Sequence, residues 1–553
     1  VDLGRFSLDN MEVISLYNGQ KSAIFQPAKD YSSASAIYMQ TRKPLFKGEK
    51  KNNLNIGVKG GSFSTINPSL LWEHRFNERI SSSISTEYMY TSGRYKFTYA
   101  KKDGYDTTAV RQNGDVRMLR LENAFFGKIP KGEWKAKAYL YNSERGYPGA
   151  AVREEPGKFR HQDRQWDTNL FVQGSFQNYF KPWYSLLANG KYAYDYLHYL
   201  SDPRLDVTTM YVDNYYRQQE IYASAAHLFT IYPWWSMSLS NDFQWNTLRA
   251  DLIDFVYPTR NTILTSAATS FDFNRLMLQA SLLYTHVDDN TRTKGANAGT
   301  KNKYTPSVIA TWQPLTKLPL NVRAFYKKVF RMPTLNDLYY TFIGNKDLKP
   351  EYTTQYDVGI TFSHTWNNHW LKSLDLQIDG YYSEVDDKII AMPTSNQFRW
   401  TMINLGHVEI RGLDAAIRGE WGFGKVELST LFNYTYQKAQ DFTDPTSEWY
   451  GGQIPYIPWH GGSIILNGSY QTWSCNYSFI YTGERYEAVA NIPENYAQPW
   501  YTHDFSLSKT FQWGKTGIRV TAEINNIFNQ QYEVVQCYPM PGTSFKIKLN
   551  VML

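Results

Sequence analysis

The chain has 553 residues and a formal net charge of +7. Its mean hydropathy is −0.52, although 16% of its residues are aromatic and 44 are tyrosines. No stretch approaches the roughly 18 apolar residues that a membrane-spanning helix requires, and the basic residues form no block of the kind that binds nucleic acid, so both classes are excluded.

From about residue 53 to Leu553 the chain is built from segments of about ten residues in which apolar and polar side chains alternate. A period of two is typical of β-strands with one apolar face. The clearest runs are Leu54/Ile56/Val58, Leu320/Val322/Ala324/Tyr326, Leu374/Leu376/Ile378, Val426/Leu428/Thr430/Phe432/Tyr434 and Trp473/Cys475/Tyr477/Phe479/Tyr481. Counting such segments predicts about 22 strands, and the alternation is weakest around 197–262.

Eight tryptophans recur mostly about fifty residues apart, and nearly all lie at short polar turns between these segments. They are Trp134, Trp183, Trp234, Trp312, Trp366, Trp421, Trp473 and Trp513. Short connections near 130–133, 180–184, 231–234, 314–319, 421–424 and 512–517 alternate with long ones near 98–116, 145–164, 197–218, 286–303, 330–352, 385–408, 435–460, 481–502 and 526–543. Indole rings at short turns, opposite long loops, indicate the interfacial girdle of a transmembrane β-barrel.

The last two segments predict which face meets lipid. In the final segment the apolar face consists of Phe545, Ile547, Leu549, Val551 and Leu553. In the segment before it, Arg519 and Glu523 share one face, which must be the lumen because an arginine in lipid costs about 2–4 kcal/mol near the midplane.

A soluble β-propeller also repeats every forty to fifty residues or so, but each of its blades packs four short strands into that length. Here each unit holds two strands of about ten residues, the length that a tilted membrane strand needs. The sequence therefore predicts an all-β fold, an antiparallel transmembrane β-barrel of about 22 strands.

Three groups of motifs resemble the barrel of TonB-dependent receptors of the Gram-negative outer membrane. The first is FRMPTLNDL at 330–338 with GNKDLKPE at 344–351 and YDVG at 356–359. The second is NLG at 404–406 with IRGLD at 410–414, and the third is INNIFN at 524–529 with Tyr532 and PMPG at 539–542. Each motif is weak alone, but the ordered set covers most of the predicted barrel.

The first 42 residues resemble the end of that family's plug domain, with LDNMEVISLYNG at 8–19, a loop at 20–35 and a strand at 37–42. We therefore expect a C-terminal plug remnant at 1–44 and the barrel at 45–553. Roughly a hundred residues, with the motor-binding Ton box, are expected upstream. The alternative is a porin without a plug. The chain departs from the family at 25–31, where FQPAKDY replaces a glycine-rich segment, and at Leu553, where an aromatic residue is customary.

A lumen of about 22 strands would leak without a plug, so uptake requires that something move it. The resemblance implies that TonB, with ExbB and ExbD, supplies the energy for a transporter of a large, scarce nutrient, and it makes a surface lipoprotein lid plausible. It also implies that Gln20, Lys21, Phe25 and Gln26, in the plug loop, contact the substrate. They could equally pack only against the barrel wall.

The long loops supply aromatic side chains of the type that cover large amphipathic ligands at low entropy cost. The candidates are Tyr339, Tyr340, Trp400, Trp449 and Tyr450. They could instead pack loop against loop. Residues 334–344 lack the histidine of haem receptors, and the barrel is similar to cobalamin transporters, so we expect a corrinoid first and a ferric siderophore second.

No cofactor and no catalysis are expected, since the chain has no zinc spacing, glycine-rich phosphate loop or nucleophile elbow. Cys475 and Cys537 share no motif. Calcium could bind at Asp288, Asp289 and Asn290, or at Asp441 with Asp444, although ordinary solvated loops are favoured. The competing functions are an active transporter, a passive porin and an adhesin that only displays its loops.

Overall fold

The computed structural model describes residues 3–7, 10–19, 22–100, 106–151, 163–202, 211–293, 298–340, 343–367, 370–393 and 400–553. Within these ranges, twenty-two antiparallel strands form one closed barrel, as predicted. They are β1 Asn52–Gly61, β2 Thr65–Arg75, β3 Ile80–Thr91, β4 Val116–Ile129, β5 Gly132–Tyr147, β6 Asp163–Lys181, β7 Tyr184–Ser201, β8 Val212–Tyr232, β9 Trp235–Ala250, β10 Thr259–Asp272, β11 Leu276–Asn290, β12 Thr300–Trp312, β13 Leu320–Arg331, β14 Glu351–Thr365, β15 Leu371–Pro393, β16 Trp400–Phe423, β17 Val426–Asp441, β18 His460–Tyr470, β19 Trp473–Thr482, β20 Trp500–Trp513, β21 Thr516–Asn525 and β22 Ser544–Met552.

Every strand pairs with its neighbours in sequence, and β1 pairs with β22 to close the ring. The closing seam runs in register from Asn55 opposite Met552 to Gly61 opposite Lys546. Closure leaves no unpaired edge among the barrel strands, which is the condition for a sheet to cross a bilayer.

Smaller elements are not part of the barrel wall. Near the N-terminus Met11–Asn18 pairs with Ser35–Thr41 as a two-stranded sheet. The loops carry the helix α1 (Leu335–Tyr339), short 3-10 turns and small pairings that include the hairpin of Tyr95–Ala100 with Asp106–Arg111. The search of the described residues found no helix with the length and apolarity to cross a membrane.

The predicted lipid face is confirmed by side-chain exposure. Phe545, Ile547 and Leu549 point outward and are 59%, 62% and 44% exposed. The opposite face of the same seam carries charge, because Glu523 of β21 forms an ion pair with Lys59 of β1 at 3.1 Å. Apolar side chains therefore face outward and ion pairs face the lumen.

The eight tryptophans lie at one end of the barrel, as the girdle hypothesis requires. All are in, or next to, the short turns at that end, which we call the short-turn end. Around the turn after β8, Trp234 and Trp235 stack with Tyr232 and Phe271 at centroid distances between 5.4 and 6.3 Å. The opposite end is the long-loop end.

Several strands are longer than the alternation predicted. The expected loops at 197–218 and 385–408 are largely strand, since β7 extends to Ser201, β8 starts at Val212, and β15 and β16 together reach from Leu371 to Phe423 with only 394–399 undescribed between them. Beyond the apolar band both faces of a sheet are hydrated, so the period of two fades although backbone pairing continues. The connection between β1 and β2, at 62–64, is short despite lying at the long-loop end.

Candidate functional site

The described residues of the N-terminal segment, 3–7, 10–19 and 22–43, lie against inward-facing side chains of the barrel. Arg5 donates to Asn169 of β6 at 2.7 Å, and Asn10 donates to Glu122 of β4 at 2.7 Å. At the short-turn end Lys43 forms an ion pair with Glu133 of β5 at 2.7 Å. The segment therefore occupies the lumen and runs down towards the short-turn end.

A buried lysine closes the neck of the loop in this segment. The Nζ atom of Lys327, on β13, donates to the carbonyl oxygens of Gly19 at 3.0 Å and Ser33 at 2.7 Å. Lys327 is only 1% exposed. Across the neck the Gly19 N–H donates to the Ala34 carbonyl at 2.8 Å. The two ends of the loop are thus held together and to the wall.

The body of the loop is held by an aspartate of the wall. Asp242 of β9 accepts backbone N–H bonds from Ala28 at 3.0 Å and Lys29 at 2.8 Å. Beside these bonds a cluster of buried apolar residues joins loop and wall, namely Ile24, Ala28, Tyr31, Leu264, Ala268 and Leu283. Burial in this cluster raises the pKa of Tyr31, whose hydroxyl donates to the Ile24 carbonyl at 3.0 Å.

The structure describes two of the four plug-loop candidates. Gln20 and Lys21 lie outside the described residues. Phe25 is half-buried, whereas Gln26 is 3% exposed and its carbonyl accepts a hydrogen bond from Ser240 of β9 at 2.8 Å. At Gln26 the geometry accords with packing against the wall, and substrate contact by all four residues stays a prediction.

Tyr339 and Tyr340 lie in the loop between β13 and β14, at the end of α1. The helix starts with a capping box, in which Thr334 Oγ1 accepts from the Asp337 N–H at 3.1 Å and Asp337 Oδ2 accepts from the Thr334 N–H at 2.8 Å. This cap fixes the helix that carries Tyr339.

Both tyrosines pack inward from this loop. Tyr339 is 7% exposed in a cluster with Tyr216, Leu248 and other residues of the barrel wall. The ring of Tyr340 meets the ring of Tyr216 edge-on at a centroid distance of 4.5 Å. Burial raises the pKa of Tyr339 to about 12 and also raises the pKa of Tyr340. Substrate contact by these two tyrosines stays a prediction.

Two motif groups that are distant in sequence meet at this loop. Asn404 of β16 accepts from the Lys349 N–H at 2.8 Å and donates to the Lys349 carbonyl at 3.1 Å. Asn345 donates in turn to the Met402 carbonyl at 3.0 Å. The GNKDLKPE and NLG motifs thus act together to hold the loop on the barrel rim.

The other aromatic candidates form separate contacts. The Trp400 ring lies 5.8 Å from the ring of Tyr456, and Tyr450 meets Phe442 edge-on at 5.2 Å. Trp449 is half-buried, and Tyr450 is 48% exposed. Tyr339 with Tyr340, Trp400, and Tyr450 thus lie in three separate clusters, and Tyr450 has the most exposed ring of the five candidates.

Sequence reasoning missed the wall residues that hold the N-terminal segment, above all Lys327 and Asp242. Polar residues at inward positions are ordinary in the strands of a large barrel, so nothing in the pattern marks these two. It also missed Tyr216, Tyr456 and Phe442, the aromatic partners of the candidates. The density of tyrosine near strand ends was the available signal.

The candidate calcium ligands have protein partners, and Asp288, Asp289, Asn290 and Asp441 lie in strands β11 and β17 rather than in loops. Asp289 binds both nitrogens of one edge of the Arg260 guanidinium, at 2.6 and 2.7 Å, and Arg260 also donates to the Pro333 carbonyl. Asp441 and Asp444 accept hydrogen bonds from Thr443 and Thr446. Among the described residues no group of three or more His, Cys, Asp or Glu side chains is arranged to hold a metal ion. Loop-bound calcium stays a prediction without support from this geometry.

Comparison with known proteins gives one family match. The model for the β-barrel of TonB-dependent receptor-like proteins matches residues 48–527. The vitamin B12 transporter BtuB of Photobacterium profundum is 28% identical over 244 residues, 42% of this chain and 36% of that protein. The BtuB of Vibrio vulnificus strain YJ016 is 30% identical over 207 residues, 37% of this chain and 29% of that protein. The matched stretch thus spans about a third of each relative.

Solved structures show the same fold along nearly the whole chain. The FrpB iron transporter of Neisseria meningitidis, F5-1 variant, superposes with a TM-score of 0.75 at 12% identity, covering 99% of this chain and 89% of that one. The siderophore receptor PiuA of Acinetobacter baumannii gives a TM-score of 0.74 at 12% identity, with coverage of 98% and 86%.

Proposed function

Because the chain belongs to the TonB-dependent receptor family, we propose that it is an active transporter that imports a large, scarce nutrient, in the first place cobalamin or another corrinoid. The barrel is an outer-membrane structure of Gram-negative bacteria, and the family consists of receptors and transporters, which are not enzymes. The short-turn end then faces the periplasm and the long-loop end faces outward.

The observation that carries active transport is the clasped N-terminal segment in the lumen. Lys327 of β13 and Asp242 of β9 hold its loop to the wall, and an ion pair holds its lower end. A large solute cannot pass until these contacts break. We propose that TonB, with ExbB and ExbD, supplies that work from the periplasmic side.

The choice of a corrinoid is supported by the two BtuB relatives, which are vitamin B12 transporters. A ferric siderophore is the second candidate, since a siderophore receptor shares the fold over 98% of this chain. Under this proposal Gln20, Lys21, Phe25 and Gln26 contact the ligand from below. Tyr450, Trp449, Trp400, Tyr340 and Tyr339 surround it from the loops, where a surface lipoprotein could close over it.

The test is uptake of labelled cobalamin by cells that express the full gene product, with and without an intact proton gradient, together with binding to the purified receptor. Tight binding with gradient-dependent uptake is the expected result. Uptake that persists without the gradient would indicate a porin, binding without uptake would indicate an adhesin, and no binding would remove the corrinoid assignment in favour of siderophores.

A variant pair sharpens the binding assay. Tyr450→Ala removes the most exposed candidate ring and should weaken cobalamin binding about threefold to tenfold. Tyr470→Ala removes a ring of similar exposure, 47%, at the short-turn end and should bind as the parent does. Equal affinities of both variants and the parent would remove Tyr450 from the site.

A further inference from the structure

Two arginines lie directly opposite each other on the outside of the barrel. Arg217 of β8 is in register with Arg249 of β9, and both side chains are exposed. Both arginines lie on the outward face of the sheet. Ile221 of β8 and Phe243 of β9 are an even number of residues from them, so they lie on the same face, and they are 44% and 42% exposed. The opposite face of the sheet carries residues such as Asp242, which accepts a hydrogen bond from the N-terminal segment in the lumen.

Strand pairing fixes where these arginines lie along the barrel wall. Four residues nearer the short turns, Ile221 is in register with Trp245 and with Tyr192, and this row belongs to the apolar band. At about 3.3 Å per residue and a tilt near 40°, four residues correspond to roughly 10 Å along the barrel axis. The arginines therefore lie beyond the apolar band, at the depth of lipid headgroups.

The next row towards the long-loop end is an aromatic stack. The ring of His198 lies 4.5 Å from the ring of Trp166 and 4.1 Å from the ring of Tyr215, with interplanar angles of 16° and 11°. Rigid outward-facing aromatic rings are typical of a membrane interface. The arginine pair thus lies between an apolar row and an interfacial aromatic row.

Among the described residues neither guanidinium of the pair takes part in an ion pair. Asp213 of β8 forms a hydrogen bond with His198 at 2.7 Å, and Asp251, just after β9, accepts from the Tyr215 N–H at 2.7 Å. Like charges directly opposite across two strands repel each other. An anion between them would turn this repulsion into two attractions.

We propose that Arg217 and Arg249 together bind the phosphate of a lipid headgroup in the outer leaflet. Backbones paired across strands lie about 4.5–5.5 Å apart, so both guanidinium forks can reach one phosphate. Arginine suits this role because its planar donors match phosphate oxygens in pairs.

The experiment is native mass spectrometry of the purified full-chain receptor in detergent, titrated with bisphosphorylated lipid A and, separately, with dephosphorylated lipid A and with inorganic phosphate. The parent should retain the bisphosphorylated lipid. The variant Arg217→Gln with Arg249→Gln should bind it at least about tenfold more weakly, because two charge-assisted contacts are lost. The matched control, Arg79→Gln with Arg275→Gln, removes two exposed guanidinium groups at the short-turn end and should bind as the parent does.

Each comparison has an outcome that overturns the proposal. Equal retention of lipid A by the Arg217/Arg249 variant and the parent would exclude the pair as the site. Equal binding of the dephosphorylated lipid would exclude phosphate recognition, and saturation by inorganic phosphate alone at the same concentration would exclude a lipid occupant. Retention of heat-modifiable migration in gels shows that each variant barrel is folded.

Discussion

At the residue scale, Lys327 is a buried charged side chain of the wall that touches the N-terminal segment. Its ammonium group is buried and donates hydrogen bonds to two backbone carbonyls, at positions 19 and 33. A buried charge must have its hydrogen bonds satisfied, so the lysine and the neck of the loop depend on each other. The neck should therefore respond strongly to changes at this residue.

Lys327→Met should release the neck of the loop. Two charge-assisted hydrogen bonds disappear and two carbonyls lose their donor, a local cost of about 1–3 kcal/mol. Hydrogen exchange of the N-terminal segment should accelerate while that of the barrel strands stays constant. Lys328→Met, on the exposed face of the same strand, is the control, and equal exchange in both variants would contradict the assigned role.

Gly19→Ala should loosen the same neck by a different route. Gly19 has a φ of +81°, and a Cβ atom there would lie 2.6 Å from Cζ of Phe325. The double variant Gly19→Ala with Phe325→Ala removes the clash but keeps a backbone penalty of about 1 kcal/mol. Hydrogen exchange should thus show partial rescue; full rescue would mean that the backbone conformation costs nothing.

At the element scale, the loop between β13 and β14 is positioned by contacts from three different strands. Arg260 of β10 donates to the Pro333 carbonyl, and Asn404 of β16 accepts from the Lys349 N–H. Where the loop joins β14, Glu351 accepts the N–H of Ile389 of β15 at 3.0 Å. The loop is therefore a fixed part of the rim, and α1 presents Tyr339 and Tyr340 to the wall.

Asn404→Ala should free the second half of this loop. It removes the two bonds to Lys349 and a third to the Asp387 carbonyl at 2.7 Å. Protease cleavage within 343–350 should become several times faster. Asn404→Asp retains the acceptor for the Lys349 N–H and loses both donated bonds, so its cleavage rate should be intermediate. A rate equal to the parent's in both variants would show that α1 alone holds the loop.

At the scale of the whole molecule, the barrel separates two environments across a single layer of backbone. Outward residues meet lipid, while inward residues pair with one another, as Arg323 does with Asp379 at 2.9 Å and Arg260 with Asp289. Strands β1 and β22 of the closing seam also have one outward and one inward face. A charged substitution in β22 should therefore be tolerated at the inward positions and destabilise the barrel at the outward positions.

Ile547→Arg should destabilise the folded barrel by about 2–4 kcal/mol if the residue is near the midplane, because it places a cation in lipid. Lys548→Arg, one residue further and on the inward face, should be neutral. The measurement is the urea midpoint for unfolding from liposomes, followed by gel mobility. Similar midpoints for the two variants would show that Ile547 does not face hydrocarbon.

The sequence by itself determined the architecture. Alternation, tryptophans at short turns and charges such as Arg519 on one face of a strand are local signals that recur in many hairpins. They were sufficient to predict the strand number, the lipid face and the end of the barrel that carries the tryptophans. The ordered motifs identified the family, which the barrel match confirmed.

Only the tertiary structure decided which side chains meet. The hydrogen bonds of Lys327 with residues 19 and 33 and of Asp242 with residues 28 and 29 join strands of the wall to a segment that is distant in sequence. The pairing of Arg217 with Arg249 depends on the register of β8 with β9. Polar residues are common at every position that faces the lumen or a headgroup layer. The sequence pattern therefore does not show which of them form contacts with another segment. Lys327 and Asp242 reach the N-terminal segment because the strands close into a barrel around it. The pairing register of each strand sets its position along the barrel axis relative to the next strand.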